Sequence, residues 1–148
     1  MTKIAVCGLG NIGLVHFDNL RSMRGCAIAG VFDIRAEVRE RVATESGTKA
    51  YQRVEELFND RNVDAVVIAT PTGSHRQLAV EALRHDKHVF IEKPLAGTIE
   101  DAQAIAEEAA RTSRCAQVGF CERFNPQYIE SRRAVRDGVI GEVKAIYS

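Results

Sequence analysis

The sequence predicts an α/β fold class: a doubly wound parallel sheet with helices on both faces. Three observations predict it. Short apolar runs alternate with helical patterns along the chain, and the runs read as apolar on both faces. A glycine-rich turn, Gly8-Leu9-Gly10-Asn11-Ile12-Gly13, joins the first run to the first helix. Strand–helix–strand order implies parallel pairing, because parallel neighbours need a crossover between them. Strands without a polar face must be covered on both sides.

Taken in order, residues 3–7, 27–32, 48–51, 64–69, 88–91 and 115–120 read as six strands. All are of strand length and several are rich in Val and Ile. Between them the period becomes helical: Ile12, Val15, Leu20 and Met23; Val38, Val42 and Ala43; Leu78, Ala79, Ala82 and Leu83; Ala102, Ile105, Ala106 and Ala109. Thr98 three residues before Asp101, and Ser74 three before Gln77, resemble helix starts. Residues 126–137 read as a further helix with Pro126 in its first turn. Gly138 and Gly141 then frame a turn, and residues 142–147 alternate like a new strand. A strand with no following element leaves an unpaired edge. The expectation is therefore a first domain, residues 1–120, followed in 121–148 by a connecting helix and the opening strand of a second, α+β domain.

A chain of 148 residues has room for one domain with a proper core. Twenty basic residues balance twenty acidic ones. That leaves no electrostatic footprint for nucleic acid or an anionic membrane. No apolar run approaches the ~20 residues of a membrane-spanning helix, and the chain enters its first strand at once, so no signal peptide is expected. Cys7, Cys26, Cys115 and Cys121 form no Cys-x-x-Cys pair and have no histidine at zinc-finger spacing. They are expected to be reduced and structural, with Cys7 and Cys115 in strands, which suits a cytoplasmic protein. His85 and His88 flank a turn without a third ligand, so no metal is expected.

The glycine turn has the pattern G-x-G-x-x-G after a strand and before a helix. Gly8 permits the tight turn, Gly10 lets a pyrophosphate approach the backbone, and Gly13 lets helix and strand pack closely. With Asn11 and Ile12 they open a helix whose free N–H groups and partial positive charge suit phosphates. Asp33 closes the second strand about twenty residues beyond Gly13, where an acid in this setting accepts hydrogen bonds from adenosine ribose hydroxyls. Asp33 also stands where a helix cap would. The combination reads as a Rossmann-type dinucleotide site. A 2′-phosphate beside Asp33 meets like charge, costing about 4 kcal/mol per unit pair at ~4 Å and an effective dielectric of about 20. NAD is expected over NADP, with NADP possible because Arg35 could pair with the phosphate.

Three further segments follow the later strands: Ala69-Thr70-Pro71-Thr72-Gly73-Ser74-His75, Glu92-Lys93-Pro94-Leu95, and Gly119-Phe120-Cys121-Glu122-Arg123-Phe124-Asn125-Pro126. In this order behind the glycine turn they resemble the glucose–fructose oxidoreductase, inositol dehydrogenase and rhizopine-catabolism family (Gfo/Idh/MocA), over essentially the whole chain. The resemblance implies hydride transfer between a nicotinamide ring and a hydroxyl-bearing carbon of a sugar or cyclitol. It also implies a second domain, an open sheet carrying much of the substrate pocket and the contacts of a homo-oligomer, in proteins more than twice this length. It implies that Ala69, Thr70 and Pro71 line the cofactor near its ribose. By the same resemblance, Glu92 hydrogen-bonds the nicotinamide-side ribose and Lys93 is the catalytic group at the reacting hydroxyl, with a cis peptide before Pro94.

A lysine does proton work only if its pKa falls toward neutrality; otherwise it stays charged and polarises a carbonyl oxygen. Sequence leaves both open. His75 either caps the next helix or faces the cleft, Arg123 resembles a position near the cofactor amide or substrate, and His16 reads as structural. The acid–base histidine that the resemblance places in the second domain has no counterpart after Pro126. Two alternatives stand beside the dehydrogenase reading: a non-catalytic dinucleotide-binding or redox-sensing module, and a domain for another ligand such as coenzyme A, whose 3′-phosphate Asp33 disfavours.

Overall fold

The computed structural model describes residues 1–147. Its elements are β1 (Thr2–Cys7), α1 (Asn11–Ser22), β2 (Cys26–Phe32), α2 (Ala36–Ser46), α3 (Val54–Asn59), β3 (Ala65–Ile68), α4 (His75–Arg84), β4 (His88–Ile91), α5 (Ile99–Ala110), β5 (Ala116–Val118) and α6 (Pro126–Arg136). The strands form one parallel sheet in the order β2-β1-β3-β4-β5. The order reverses direction between β1 and β3, and crevices in open α/β sheets lie at such a point.

Successive residues of a strand face opposite sides, and β1 divides accordingly. Ala5 and Cys7 join Val66, Ile68, Val89 and Ile91 beneath Leu57, Leu78, Ala82 and Ile105 of α3, α4 and α5. Val6 joins Val31 and Val67 beneath Phe17, Val42 and Ala43 of α1 and α2. Both faces of β1 and β3 are thus buried, and burying a side chain of this kind stabilises by about 2 kcal/mol. The register aligns the strand ends: Cys7 pairs with Phe32 and Ile68, Ile68 with Ile91, and Ile91 with Val118. The residues that follow, Gly8, Asp33, Ala69, Glu92 and Gly119, therefore stand side by side along one edge of the sheet.

Four expectations need correction. Residues 48–51 make only an isolated bridge, Val31 to Ala50. There Tyr51 dives under the sheet against Gly30, where a Cβ would lie 2.4 Å from Tyr51 Cε2, and its hydroxyl donates to Asp60 at 2.9 Å. The chain then turns into the short helix α3, which the sequence reading did not anticipate. The last strand spans only Ala116–Val118, exposed along most of its length, so Cys115 lies outside it and is exposed. Ser74 precedes α4 but makes no side-chain cap; its hydroxyl lies 2.7 Å from both Thr70 Oγ1 and the Pro71 carbonyl. Residues 142–147 form no strand. Alternation supplies a face but not a partner, and Ile146 and Tyr147 remain exposed. Ser148, the last residue of the expected connecting segment 121–148, lies outside the described residues.

Thr98 caps α5 as expected, accepting the Asp101 N–H at 3.1 Å. Helix α6 opens on Pro126 behind a capping Asn125 and buries none of its residues. All four cysteines are free. Among the described residues no helix is long and apolar enough to cross a membrane, and no cluster of three or more His, Cys, Asp or Glu is arranged for a metal ion.

Candidate functional site

The glycine turn is built as its spacing requires. Gly8 has φ +93°, and a Cβ there would lie 2.6 Å from the Ala69 carbonyl oxygen. A Cβ on Gly13 would lie 2.0 Å from the Gly8 carbonyl oxygen. These two glycines let β1, α1 and the loop after β3 touch. Gly10 differs, since a Cβ there would meet nothing within 4 Å. It borders open space in front of α1, whose N-terminus has no side-chain cap and no acid in its first turn. Asn11 and Ile12 are exposed beside it. The uncapped N–H groups and the partial positive charge of the helix fit an anionic pyrophosphate.

Beside this turn lies a cleft of about 790 Å³. Gly8, Gly10, Asp33, Arg35, Ala69, Thr70 and Pro71 line it, all of them expected, together with Phe32, Ile34, Val54, Gly73, Ser74, Gln77 and Leu78, which were not. The apolar members give it walls suited to a flat ring, as small-molecule sites usually have. Ile34, 85% exposed, carried a signal in retrospect, because a large apolar residue directly after the acid stays uncovered. Val54 and Leu78 come from other helices and carried none.

Asp33 is buried at the cleft's edge. Its Oδ2 accepts the Leu9 N–H at 2.8 Å, so the acid braces the glycine turn from β2. Its Oδ1 accepts the Arg35 N–H at 2.9 Å and Nε at 3.0 Å, and Arg35 Nη2 lies 3.1 Å from Oδ2. Burial pushes the Asp33 carboxyl up, but the Arg35 side chain, the two backbone N–H groups and the Arg35 charge together outweigh it and hold the acid below its ordinary range. Asp33 is thus an ionised acceptor, aimed at the turn and covered on its outer side by a half-exposed guanidinium. Beneath it, burial and then the charge of Asp33 push the Cys7 thiol up to about 12, which leaves it inert.

His75 is 1% exposed. Its Nδ1 lies 3.0 Å from the Pro94 carbonyl and its Nε2 2.9 Å from the Thr70 carbonyl. Both ring nitrogens are occupied by backbone, so His75 neither caps a helix nor faces the cleft; the expectation of a ligand contact is corrected. It clamps the loop after β3 to the loop after β4. In the second of these loops Glu92 is 5% exposed and Lys93 is exposed. Glu92 Oε1 lies 2.7 Å from His16 Nε2, and Oε2 accepts the Lys93 N–H at 2.9 Å. The Lys93–Pro94 bond is cis, as the resemblance implied. Arg123 stands elsewhere, in a groove with Tyr128, Arg132 and Arg136, its guanidinium 5.7 Å from the Phe120 ring centroid. The structure does not bring it onto the cleft.

A glycine turn at the start of α1, an acid closing β2, and further loops aligned at the carboxyl edge of a parallel sheet define a dinucleotide-binding domain. Residues 2–120 match the Gfo/Idh/MocA family model, described as an oxidoreductase family with an NAD-binding Rossmann fold, and the chain belongs to that family. It is 37% identical over 147 residues to scyllo-inositol 2-dehydrogenase (NAD(+)) of Bacillus subtilis, covering 98% of this chain and 42% of that protein. Among solved structures it resembles an NAD-binding protein from Listeria innocua, with TM-score 0.87, 36% identity, and 95% of this chain against 42% of that one. It also resembles scyllo-inositol dehydrogenase from Lactobacillus casei with bound NAD(H) and scyllo-inositol, with TM-score 0.86, 29% identity, and 96% against 43%. The chain spans less than half the length of these relatives.

Proposed function

We propose that this chain is the cofactor-holding part of an NAD-dependent dehydrogenase that passes hydride between nicotinamide and a hydroxyl-bearing carbon of a cyclitol or related sugar. The observation that carries the reading is the alignment of the Gly8–Gly13 turn, Asp33, Thr70, Glu92 and Lys93 along one sheet edge beside an open cleft. In this reading Gly10, Asn11, Ile12 and Gly13 offer backbone N–H groups to the pyrophosphate. Asp33 takes the adenosine ribose, with Arg35 turning aside. Glu92 takes the second ribose, and Lys93, exposed at the same edge, holds the reacting hydroxyl. The nicotinamide ring supplies the hydride chemistry when bound; the protein supplies position and charge.

The division into a cofactor domain, residues 1–120, and a connecting segment, 121–148, belongs to the same proposal. It is supported by a family match that stops at residue 120 and by a helix α6 with no buried residue. So do a homo-oligomer and a reducing, cytoplasmic setting, which four free thiols suit. Calorimetric titration of the chain is expected to rank NAD above NADP and both above coenzyme A. Binding of coenzyme A alone would reject the reading. The chain by itself is expected to bind NAD without turnover. Extended to the length of its relatives, it is expected to form NADH from a cyclitol, and Lys93→Ala is expected to abolish that reaction while leaving NAD bound.

A further inference from the structure

We propose that His16 is a positioning residue for the nicotinamide end of the site, acting through Glu92. The inference rests on the reading of Glu92 as the acceptor for the second ribose. A carboxylate oxygen only accepts, so His16 Nε2, 2.7 Å from Glu92 Oε1, is the donor and carries the hydrogen. The pair is largely shielded from water, with side-chain exposures of 19% and 6%, where a hydrogen bond to an ionised group is strong. The imidazole is itself held edge-on by Phe90, the ring centroids 5.2 Å apart at 70°.

Two further constraints act on the same carboxylate. Oε2 accepts the Lys93 N–H, so the acid is tied to the backbone that carries Lys93. Behind it stands Gly119, where a Cβ would lie 3.1 Å from Oε1 and 3.0 Å from Phe90 Cζ. The carboxylate is therefore oriented by α1, by its own loop and by the end of β5. The element that supplies His16 is the helix whose N-terminus faces the pyrophosphate position. One rigid helix thus sets the spacing between the phosphate-binding turn and the acid for the second ribose, a spacing the ligand's covalent structure also fixes.

A ladder of ligands tests this on the chain: ADP, ADP-ribose and NAD, each titrated calorimetrically. ADP-ribose differs from ADP by the second ribose and its phosphate linkage. His16→Leu is expected to weaken ADP-ribose and NAD by about tenfold and ADP by less than about twofold, the scale of one hydrogen bond to a charged group. His16→Gln, which keeps a donor at similar reach, is expected to restore most of the loss. Should His16→Leu fail to fold, His16→Asn, polar but too short, carries the same expectation. Equal weakening of all three ligands would make His16 a packing residue and overturn the proposal, as would unchanged affinity for ADP-ribose. If the unaltered chain gains nothing between ADP and ADP-ribose, the Glu92 reading fails first and this proposal falls with it.

Discussion

Asp33 and Glu92 each follow the last residue of a parallel strand, each is 5% exposed, and each accepts a backbone N–H. They are held by different kinds of neighbour. The counterion of Asp33 is Arg35, two residues along the chain and half exposed. The partner of Glu92 is His16, on another element and screened from water. Asp33 is thus closed on its outer side by a neighbour in the chain, although its inner partner, the Leu9 N–H, comes from the turn after β1. Glu92 is held by parts of α1, of its own loop and of the segment after β5. The difference teaches that the same chemical group, a carboxylate at a strand end, can be held by a neighbour in the chain or by tertiary packing.

The largest effect is expected where the two ends share a part. Gly13→Ala puts a methyl 2.0 Å from the Gly8 carbonyl oxygen, inside a helix that cannot yield. A loss of about 3 kcal/mol is expected for such overpacking, lowering Tm by about 10 °C in a chain of this size. ADP and NAD binding are expected to vanish together. If ADP still binds normally, the turn does not serve both ends.

Asp33→Ala comes next. It leaves the Leu9 N–H without its buried acceptor, a loss of about 2 kcal/mol. Denaturant unfolding checks that figure. Titration is expected to show ADP and NAD weakened equally, by about tenfold or more, in contrast to the Glu92 end, where ADP is spared.

The third test uses acid. The Asp33 carboxyl is held below its ordinary value of 3.8, so its contribution to stability is fully present above that value. It is lost as pH falls through the lower value in the folded chain. Asp60 and Asp86, also held low by their partners, titrate in the same direction. Urea midpoints are therefore expected to hold down to about pH 5 and to fall as pH drops below about 4, and to fall less in Asp33→Asn. An identical drop in both proteins would mean that Asp33 is not the low-pKa acid described here.

The smallest effect is expected from Gly119→Ala, which presses on Glu92 and Phe90 by a few tenths of an ångström. The adjustment is expected to weaken ADP-ribose by about threefold, roughly 0.7 kcal/mol, with ADP unchanged. An equal change in both ligands would place the strain outside the Glu92 end.

Legibility in the sequence follows the same line. The strand–helix alternation, the glycine turn and the acid that closes β2 were readable because period and spacing belong to the chain itself, although the contacts of Gly8 with Ala69 and of Asp33 with Leu9 are long-range. The cis bond before Pro94 was readable through a short, specific motif. The segment 48–51 misled because its strand-like run is stopped by Tyr51, whose ring fills the space that Gly30 leaves on β2. His75 misled because the two carbonyls its ring nitrogens meet, those of Thr70 and Pro94, belong to loops that only the finished sheet sets side by side.

By itself, then, the sequence determined the parallel strand–helix frame, the glycine turn that opens α1 and the acid at the end of β2, since turn geometry, helix dipole and strand period act over a few residues. The tertiary structure alone decided which side chains wall the cleft, that His75 clamps two loops and that His16 reaches Glu92. Those contacts depend on strand register, which brings the ends of β1, β2, β3, β4 and β5 to one edge, and no local spacing encodes which residues meet there.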